Sequence, residues 1–326
     1  MILALAEYAY GVVAGAYHRH WDRRGGWRAP VPVISVGNIT VGGNGKTPFV
    51  IALIKLLEQH FPHLRERNRI AVLSRGYGRK SKELTIAEID SHWQDTGDEP
   101  LLIKRSCPQT LVISNANRVE SAKVAANDFG AKLIILDDGF QHRRLARDVD
   151  LVLLDSMMPI DNGKMLPAGR LREHPSSLGR ATALVTVGSG ESAVPYAKSF
   201  NKISWRALPA KLSQTWADKP KGPCFLVTGV ARPNRVKLSA ESVGIQIVGE
   251  RAFRDHHVFS EQELKNVSRE AENAGADVIL TTSKDYIRMY PWRGSLQIVV
   301  IPYSLEIMDS ENFVNWLSTK VDFSLR

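Results

Sequence analysis

Short apolar runs alternate along the chain with stretches whose apolar residues recur at helical spacing. The runs are nearly continuous in Val, Ile and Leu, which is typical of parallel strands covered on both faces. They are VPVISVG (31–37), IAVLS (70–74), LVIS (111–114), KLIILDD (132–138), DLVLLD (150–155) and TALVTV (182–187). Helical patterns lie between several of them, for example at 46–60 and 116–130. The alternation predicts an α/β fold with a doubly wound, mostly parallel sheet.

The pattern changes near residues 205–222, where Pro, Lys and Trp accumulate. This composition indicates a domain boundary or a linking ribbon. Strand and helix patterns then resume, ending with a helix near 310–320. We therefore predict a larger α/β core at 31–210 and a second, smaller α/β domain at 211–326.

The N-terminus is unusually apolar, with Glu7 as the only charge in the first 17 residues. As a helix these residues reach about 26 Å, which is short for a bilayer span. The next stretch, HRHWDRRGGWR, mixes Trp and Arg, which suits a membrane interface. We predict a membrane-associated helix followed by a basic, aromatic segment at 1–30. A helix docked on its own domain, a spanning helix and a cleaved signal peptide are the alternatives, although no Lys or Arg precedes the apolar run.

Composition narrows the function only slightly. Hydrophobic residues make up 44% of the 326 residues, and 43 Lys and Arg against 34 Asp and Glu give a net charge of +9. That surplus suits anionic lipid or a phosphorylated substrate, and no long basic run suggests a nucleic-acid partner, so none is expected. The two cysteines form no CxxC pair, which argues against a zinc site, and we expect both to be small buried residues.

The segment VGNITVGGNGKTP (36–48) has the order of a P-loop, with a strand, a Gly-rich loop, Lys-Thr and a helix. Such glycines let backbone N–H groups surround phosphate oxygens at a helix N-terminus. We expect Lys46 to reach the β and γ phosphates of ATP and Thr47 to hold Mg²⁺. The usual first glycine is replaced by Thr40, and a Gly-rich turn with a chance Lys-Thr is the alternative. The predicted nucleotide-binding residues are Thr40, Gly42, Gly43, Asn44, Gly45, Lys46 and Thr47.

Two acids, Asp137 and Asp138, directly follow the apolar run LIIL. Acids at the carboxyl end of a core strand face the same crevice as a P-loop and can organise Mg²⁺. We predict that this pair completes the metal site, and that residues 31–210 form a P-loop kinase core with the doubly wound sheet of P-loop NTPases. A solvated turn explains one such acid easily but two less well.

Further candidates lie in polar loops. TGDEP offers Asp98 as a general base for a hydroxyl acceptor, or alternatively as a helix N-cap. DHH offers His256, which either orients a catalytic base or is a satisfied structural histidine. Phosphate clamping and surface solvation are equally open for the arginines of two Gly-containing loops, which are Arg75, Arg79, Arg170 and Arg172.

Taken together, these motifs resemble one family, the tetraacyldisaccharide 4′-kinases, which are the lipid A 4′-kinases of Gram-negative bacteria. The resemblance runs in order from residue 36 to residue 285. It rests on VGNITVGGNGKTP, SRGYGRK, TGDEP, DDGFQHRRLARDVDLVLLD, LPAGRLRE, TGVARP, FRDHH and TTSKD. The first of these and DDGFQHRRL are highly specific in combination.

The resemblance implies transfer of the ATP γ-phosphate to the 4′-hydroxyl of a tetraacylated glucosamine disaccharide 1-phosphate, giving lipid IVA. It implies an enzyme at the cytoplasmic face of the bacterial inner membrane, peripheral or monotopic, with ATP and Mg²⁺ as cofactors and an anionic membrane surface as partner. It implies Asp98 as the base and His256 as its partner, with Lys46 and Asp138 also catalytic.

By the same resemblance Asp137 and Asp138 hold or approach Mg²⁺, Gln141 lies near the nucleotide and Glu173 near the metal. Two departures are small: Asn44 stands where Thr or Ser is frequent, and His174 where Pro is usual. A P-loop ATPase switch that cycles on the membrane is the alternative function, but such switches carry Lys at the position of Val41. A lipid-binding protein with a degenerate P-loop is a third, which the intact Lys46 disfavours.

Overall fold

Two sheets, of nine and four strands, organise the computed structural model, which describes residues 2–216, 218–292 and 294–323. The chain divides into a first unit, Met1–Leu208 with Leu305–Arg326, and a second unit, Pro209–Ser304. Met1 of the predicted N-terminal segment and residues 324–326 of the predicted C-terminal domain lie outside the described residues.

The nine-stranded sheet belongs to the first unit. Its strands are β1 (Val33–Gly37), β2 (Ile70–Ser74), β3 (Thr85–Ile86), β4 (Leu111–Ser114), β5 (Leu133–Asp137), β6 (Val149–Asp155), β7 (Ala183–Val187), β8 (Ile203–Pro209) and, after the four strands of the second sheet, β13 (Leu305–Ile307). The order is β13-β8-β7-β6-β1-β5-β2-β4-β3. β1 pairs in parallel with β5 and β6, and β3 is antiparallel to β4. The predicted mostly parallel, doubly wound α/β class is confirmed.

Helices cover both faces of this sheet. They are α1 (Ile2–Arg24), α2 (Lys46–His60), α3 (Trp93–Thr96), α4 (Asp98–Ser106), α5 (Arg118–Asn127), α6 (Val194–Ser199) and, near the C-terminus, α11 (Ser310–Ser318). The face under α2 buries Phe49, Leu53 and Leu57 completely against strands β1, β5 and β6. Helix α5 contributes Ala122 and Ala125 to the core on the other side of β2 and β5. Because helices cover both faces of the sheet, the side chains on both sides of each central strand are buried, and the strands are therefore apolar throughout.

The second unit is a smaller parallel α/β layer. Its strands are β9 (Cys224–Thr228), β10 (Ile247–Ala252), β11 (Val278–Thr282) and β12 (Gln297–Ile301), in the order β10-β9-β11-β12. All three pairings are parallel. Its helices are α7 (Leu212–Thr215), α8 (Pro233–Glu241), α9 (Glu261–Asn273) and α10 (Ser283–Met289).

The predicted C-terminal boundary of the second domain differs from the structure. The chain leaves the first unit after Leu208 but returns to it at Leu305. Strand β13 becomes the edge of the nine-stranded sheet, and α11 buries Phe313 and Leu317 in the core beside α2. Residues 305–326 therefore belong to the first unit, because their apolar side chains complete its core. The predicted ribbon at 205–222 likewise begins as strand β8.

Helix α1 presents two contrasting faces. Two of its polar side chains contact the rest of the first unit: the Glu7 carboxylate accepts from the Met165 backbone N–H at 2.8 Å, and the Tyr10 hydroxyl donates to the Arg172 carbonyl at 3.2 Å. Large apolar side chains remain exposed, namely Leu3, Leu5, Tyr8, Val12, Val13 and Tyr17. Within the described ranges, no helix combines the length and apolarity that a bilayer crossing requires.

Candidate active site

The Gly-rich loop joins β1 to α2 between Gly37 and Lys46. Two turns need glycine, because Gly42 has φ 101° and Gly45 has φ 75°, both in the left-handed region. Gly45 is the N-cap of α2, so the first turn of that helix opens directly from the loop. Space is open beside Gly43, where an added Cβ would meet no atom within 4 Å. This strand–loop–helix arrangement presents backbone N–H groups and the positive end of a helix to an anion.

Residues 170–172 pin the loop from one side. The Val41 N–H donates to the Arg170 carbonyl at 2.8 Å, and the Arg172 N–H donates to the Ile39 carbonyl at 2.7 Å. The Arg170 guanidinium also donates to the Val41 carbonyl from Nε and Nη2, at 3.1 and 2.7 Å. A Cβ at Gly42 would collide with that guanidinium. Arg170 therefore braces the loop backbone in this structure.

Small polar side chains brace the loop from inside. Thr40 is 4% exposed, and its hydroxyl accepts from Asn44 Nδ2 at 2.7 Å and from Asn38 Nδ2 at 3.2 Å. Thr40 thus occupies the position of the usual first glycine, and its hydroxyl links Asn38 to Asn44 within the loop. Asn38, which is completely buried, was not among the predicted site residues. Its signal in the sequence is a polar residue placed directly after a continuous apolar strand.

Charges converge just above this loop. Lys46 Nζ donates to Asn38 Oδ1 at 3.2 Å and lies 3.6 Å from Asp138 Oδ1. The Arg172 guanidinium forms a bidentate pair with Asp138, donating from Nη1 to Oδ2 at 2.9 Å and from Nη2 to Oδ1 at 2.8 Å. It also donates to Asn38 Oδ1. Burial alone would raise the pKa of Asp138, but the cations Lys46 and Arg172 outweigh it and hold that pKa below its usual range. Asp138 is therefore an ionised partner of both cations.

Asp137 has the opposite environment. It ends β5, next to β1, and is 1% exposed. Burial, followed by the nearby Glu99 and Asp138 carboxylates, raises its pKa to about 7, against the lowering effect of Lys46. Its Oδ2 accepts from the Ser74 hydroxyl at 3.4 Å, whereas Oδ1 has no hydrogen-bond partner among the described residues. A buried carboxylate oxygen without a partner is poised for a cation or a donor from a ligand.

The TGDEP loop reaches the same edge of the sheet. Asp98 begins α4, is 3% exposed, and its Oδ1 accepts from the Glu99 N–H at 2.9 Å. Gly97, with φ 96°, packs so closely on Gly76 that an added Cβ would lie 2.8 Å from the Gly76 Cα. That contact anchors the loop behind β2. The effect of Glu99 on the pKa of Asp137 indicates that the start of α4 lies beside the end of β5.

Glu173 occupies a different environment from that predicted. It is 2% exposed, and its Oε2 lies 2.5 Å from Arg180 Nη2, 3.3 Å from Arg143 Nη2 and 3.7 Å from His18 Nε2. Its Oε1 accepts from Gln141 Nε2 at 2.9 Å. Both oxygens are thus engaged by cations and an amide, which corrects the expectation of a metal ligand. Glu173 is therefore a buried anchor that links His18 of α1 to Arg143, Arg180 and Gln141.

Gln141 links that anchor to the loop itself. Besides Glu173, its side-chain amide donates to the Asn38 carbonyl at 2.9 Å. Its Oε1 has no hydrogen-bond partner within the residues that the structure describes. Gln141 therefore contacts the Gly-rich loop through the backbone of Asn38. Its predicted place near the nucleotide stays a prediction.

The two arginines of the other Gly-containing loop lie in different environments, because Arg75 is exposed and Arg79 is partly buried. Arg79 donates to the Ser114 carbonyl at 2.8 Å and to the Thr85 hydroxyl at 3.2 Å, so it braces β3 and β4. Burial, Arg75 and Arg79 lower the pKa of Arg118, which is 6% exposed, to about 10, although Asp138 and Asp137 counteract them. Arg118 was not predicted as a site residue, and nothing in its local sequence distinguishes it from a helix-start arginine.

No ready-made metal cluster is present in the part of the chain that the structure describes, where no three His, Cys, Asp or Glu side chains converge as ligands. Magnesium sites in phosphoryl-transfer enzymes take one or two carboxylates and complete the shell with phosphates and water. Asp137 fits that pattern, because its Oδ1 is buried and lacks a hydrogen-bond partner among the described residues.

His256 belongs to the second unit. Its backbone has φ 59°, and its Nε2 lies 3.1 Å from Lys284 Nζ. The next residue, His257, lies 3.1 Å from the Glu263 carboxylate and stacks on Phe253 with ring centroids 4.6 Å apart. The two adjacent histidines therefore have opposite electrostatic partners.

Comparison with known proteins agrees with these features. The family model described as tetraacyldisaccharide-1-P 4′-kinase matches residues 1–322. The chain belongs to the tetraacyldisaccharide 4′-kinase family. A relative of that name from Koribacter versatilis is 39% identical over 293 residues, covering 86% of each chain. Another from Bradyrhizobium sp. (strain BTAi1 / ATCC BAA-1182) is 35% identical over 318 residues, covering 95% of this chain and 88% of the relative.

The fold is also found in a solved member of this family. A crystal structure of LpxK from Aquifex aeolicus in complex with ATP matches with a TM-score of 0.75 at 27% identity. The match covers 98% of both chains. The similarity therefore extends over both units and the N-terminal helix, and is not confined to the P-loop core.

Proposed function

We propose that this chain transfers the γ-phosphate of ATP to the 4′-hydroxyl of a tetraacylated glucosamine disaccharide 1-phosphate, giving lipid IVA. One observation carries the proposal. The Gly-rich loop with Lys46 follows strand β1, and the acid pair Asp137 and Asp138 lies at the end of the adjacent parallel strand β5. The chain that carries this arrangement belongs to the tetraacyldisaccharide 4′-kinase family. Phosphoryl transfer needs little covalent chemistry from the protein, so positioning and charge carry most of the catalysis.

ATP binding is assigned to the Gly-rich loop. The N–H groups at Gly42–Gly45 and the start of α2 suit the phosphates, and Lys46 is positioned beside them. In the structure its ammonium lies between Asn38 and Asp138. Asp138, which pairs with Arg172, thereby helps to align Lys46 for the β and γ phosphates. Asn38, Thr40 and Asn44 keep the loop in shape.

Mg²⁺ fits the residues present. Asp137 would supply a buried carboxylate oxygen, and Thr47, 6% exposed in the first turn of α2, would supply its hydroxyl. When bound, the ion would neutralise charge on the transferring phosphate. The raised pKa of Asp137 has the expected sign for such a site, because its unfavourable ionisation is relieved by a cation.

Asp98 is proposed as the base that takes the proton of the attacking 4′-hydroxyl, and His256 as its partner, as the family resemblance implies. Burial and a fixed position at the start of α4 support the role of Asp98, since a base must be held in one geometry. The helix N-cap alternative is only partly met. Gly97 is the N-cap residue, and the Asp98 Oδ1 accepts from the N–H of the next residue, Glu99.

A lipid acceptor requires the site to meet a membrane surface. The exposed fractions of Leu5, Tyr8 and Val13 on α1 are 70%, 72% and 69%, while the opposite face of that helix holds the first unit by polar contacts. This arrangement suits a helix lying in the interface rather than a buried core helix. It supports the proposal of a peripheral or monotopic enzyme at the cytoplasmic face of the inner membrane.

The test is incubation of the purified chain with γ-labelled ATP, Mg²⁺ and the disaccharide 1-phosphate in detergent micelles. The proposal expects label in a lipid that co-migrates with lipid IVA. ATP hydrolysis without labelled lipid would favour the ATPase-switch alternative.

The base is tested with Asp98→Asn. This change keeps an oxygen for the Glu99 N–H but removes the carboxylate. We expect kcat to fall at least about a hundredfold, while ATP binding measured by fluorescent-nucleotide displacement stays within about twofold. Asp95→Asn, an exposed acid in the preceding helix α3, is the matched control and should retain full turnover. Near-normal turnover of Asp98→Asn would remove Asp98 from the mechanism.

A further inference from the structure

Three motifs meet at one edge of the four-stranded sheet. TGVARP follows β9, FRDHH follows β10 and TTSKD closes β11, and β9 lies between the other two strands. Because the strands are parallel, their carboxyl ends lie at the same edge. There the Lys284 Nζ approaches the His256 Nε2 to 3.1 Å. A lysine beside the proposed partner of the base has no role in the mechanism described so far.

The contact constrains the protonation state of the ring. A Lys ammonium carries three donors and no acceptor, so the His256 Nε2 must be the acceptor. An imidazole that accepts at Nε2 is neutral and carries its single proton on Nδ1. The geometry therefore selects one tautomer of His256.

Lys284 is held by a capped helix. It lies in the first turn of α10, whose N-cap Thr282 accepts from the Asp285 N–H at 3.2 Å and donates to the Asp285 carboxylate at 2.7 Å. Asp285 is completely buried and pairs with Arg288, which donates to the Gly229 carbonyl at 3.0 Å. The helix that carries Lys284 is thereby fixed to the loop after β9.

The same loop fixes the histidine. The His256 N–H donates to the Gly229 carbonyl at 3.2 Å, so one carbonyl receives both the Arg288 side chain and the His256 backbone. His256 has a left-handed backbone, which non-glycine residues adopt rarely and which the surrounding structure must impose. Both members of the contact are thus oriented by the same buried network.

His257 supplies a contrast within the same turn. The Glu263 carboxylate, which also caps α9 through Ser260, faces the His257 Nε2 at 3.1 Å. A carboxylate can only accept, so that nitrogen carries a proton. The ring packs on Phe253 and Phe259 at 4.6 and 5.1 Å, which indicates a structural histidine. The ammonium and the carboxylate therefore impose opposite states on Nε2 of the two neighbours.

We infer that Lys284 is a positioning residue that holds His256 as the neutral Nδ1–H tautomer, leaving Nδ1 as the ring's donor to a carboxylate partner. The catalytic consequence rests on the proposed role of His256 beside the base. The tautomer itself does not depend on that role.

The direct test is nuclear magnetic resonance of the full chain labelled with ¹⁵N at histidine. His256→Asn identifies the ring signals of His256 by their loss, and long-range ¹H–¹⁵N correlations distinguish the two tautomers. We expect Nδ1–H in the wild type and loss of that preference in Lys284→Met, which keeps chain length without the charge. The pattern of His257 should be unchanged. A wild-type Nε2–H tautomer, or an unaltered one in Lys284→Met, would overturn the inference.

Kinetics separate this inference from the proposed function. Lys284→Met should lower kcat at least about tenfold with the KM for ATP within about twofold, and Lys284→Arg, which keeps a cationic donor, should recover most of it. Lys265→Met, an exposed lysine on α9, is the matched control and should leave both constants unchanged. If Lys284→Met alters the tautomer but not kcat, the positioning by Lys284 stands and the proposed catalytic role of His256 fails.

Discussion

The buried carboxylate of Glu173 offers a sharp test of the structure, because two of its readings predict opposite results. As the anchor seen here, it is surrounded by Arg143, Arg180, His18 and Gln141 and is 2% exposed. As the metal ligand expected from the sequence, it would instead govern the Mg²⁺ requirement. We consider Glu173→Gln, which is isosteric and retains an acceptor for Gln141 but removes the charge.

The magnitude follows from the partners. Removing one member of a buried ion pair costs about 3–5 kcal/mol, because the other charge stays buried without compensation. Arg143, whose side chain is 5% exposed, still pairs with Asp22, and the side chain of Arg180 is 25% exposed. Both facts reduce the penalty, so we expect about 3 kcal/mol. For a unit of this size each kcal/mol lowers Tm by roughly 2–4 °C, giving a shift of about 6–12 °C.

The assay is thermal unfolding followed by circular dichroism, together with a Mg²⁺ titration of kinase activity below the melting range. Glu191→Gln is the matched control. Its side chain is 82% exposed and lies 4.0 Å from Arg206, so its loss should cost about 0–1 kcal/mol. An unchanged Tm with a raised Mg²⁺ requirement in Glu173→Gln would refute the anchor and restore the metal-ligand role.

Two further predictions follow from buried titratable groups. Burial, then Arg118, Arg147, Arg144 and Arg75, lowers the pKa of His142 to about 3. The folded chain therefore stays neutral at His142 while the unfolded chain takes a proton below about pH 6.5, so stability present above that pH is lost as the pH falls. When the pH is lowered from 7.5 to 5.5, the free energy of unfolding should fall in both proteins, but by up to about 1.4 kcal/mol less in His142→Gln than in the wild type. Equal decreases in the two proteins would contradict this prediction. Burial also raises the pKa of both thiols, Cys107 to about 12 and Cys224 to about 11, so neither should react with Ellman's reagent at pH 8 until the chain is unfolded, and fast labelling of native protein would contradict it.

Much of the fold was predictable because the strands are buried on both faces. A run such as LIIL before Asp137 has one physical meaning when it recurs between helical patterns, and the parallel sheet follows from the alternation. Strands β8 and β13 escaped prediction for the opposite reason. They lie at one edge of the sheet, so they are only partly buried and include charges such as Arg206 and Glu306. Ala207 is the one buried residue of β8. Their composition is typical of a loop, and only their strand pairing in the structure identifies them as part of the sheet.

The candidate site divides in the same way. For some residues the place in the fold follows from the local sequence: Lys46 lies in a Gly-rich loop, and Asp137 and Asp138 lie at a strand end. For others the environment depends on distant parts of the chain and could not be predicted. Glu173 follows Arg172 in the sequence, yet Arg172 faces the loop while Glu173 is drawn to Arg143 and Arg180 from elsewhere in the chain.

The acid pair shows why charge alone cannot assign roles. Asp137 and Asp138 are adjacent and chemically identical, but their pKa values move in opposite directions. The left-handed backbone of Asp138, with φ 55°, turns its side chain out of the strand toward Lys46 and Arg172, while Asp137 stays in the buried end of β5 beside Glu99. One acid is thus neutralised by protein cations and the other retains a buried oxygen with no partner in the described ranges. A single backbone turn gives two adjacent, identical residues opposite electrostatic environments, and the sequence carries no sign of that division.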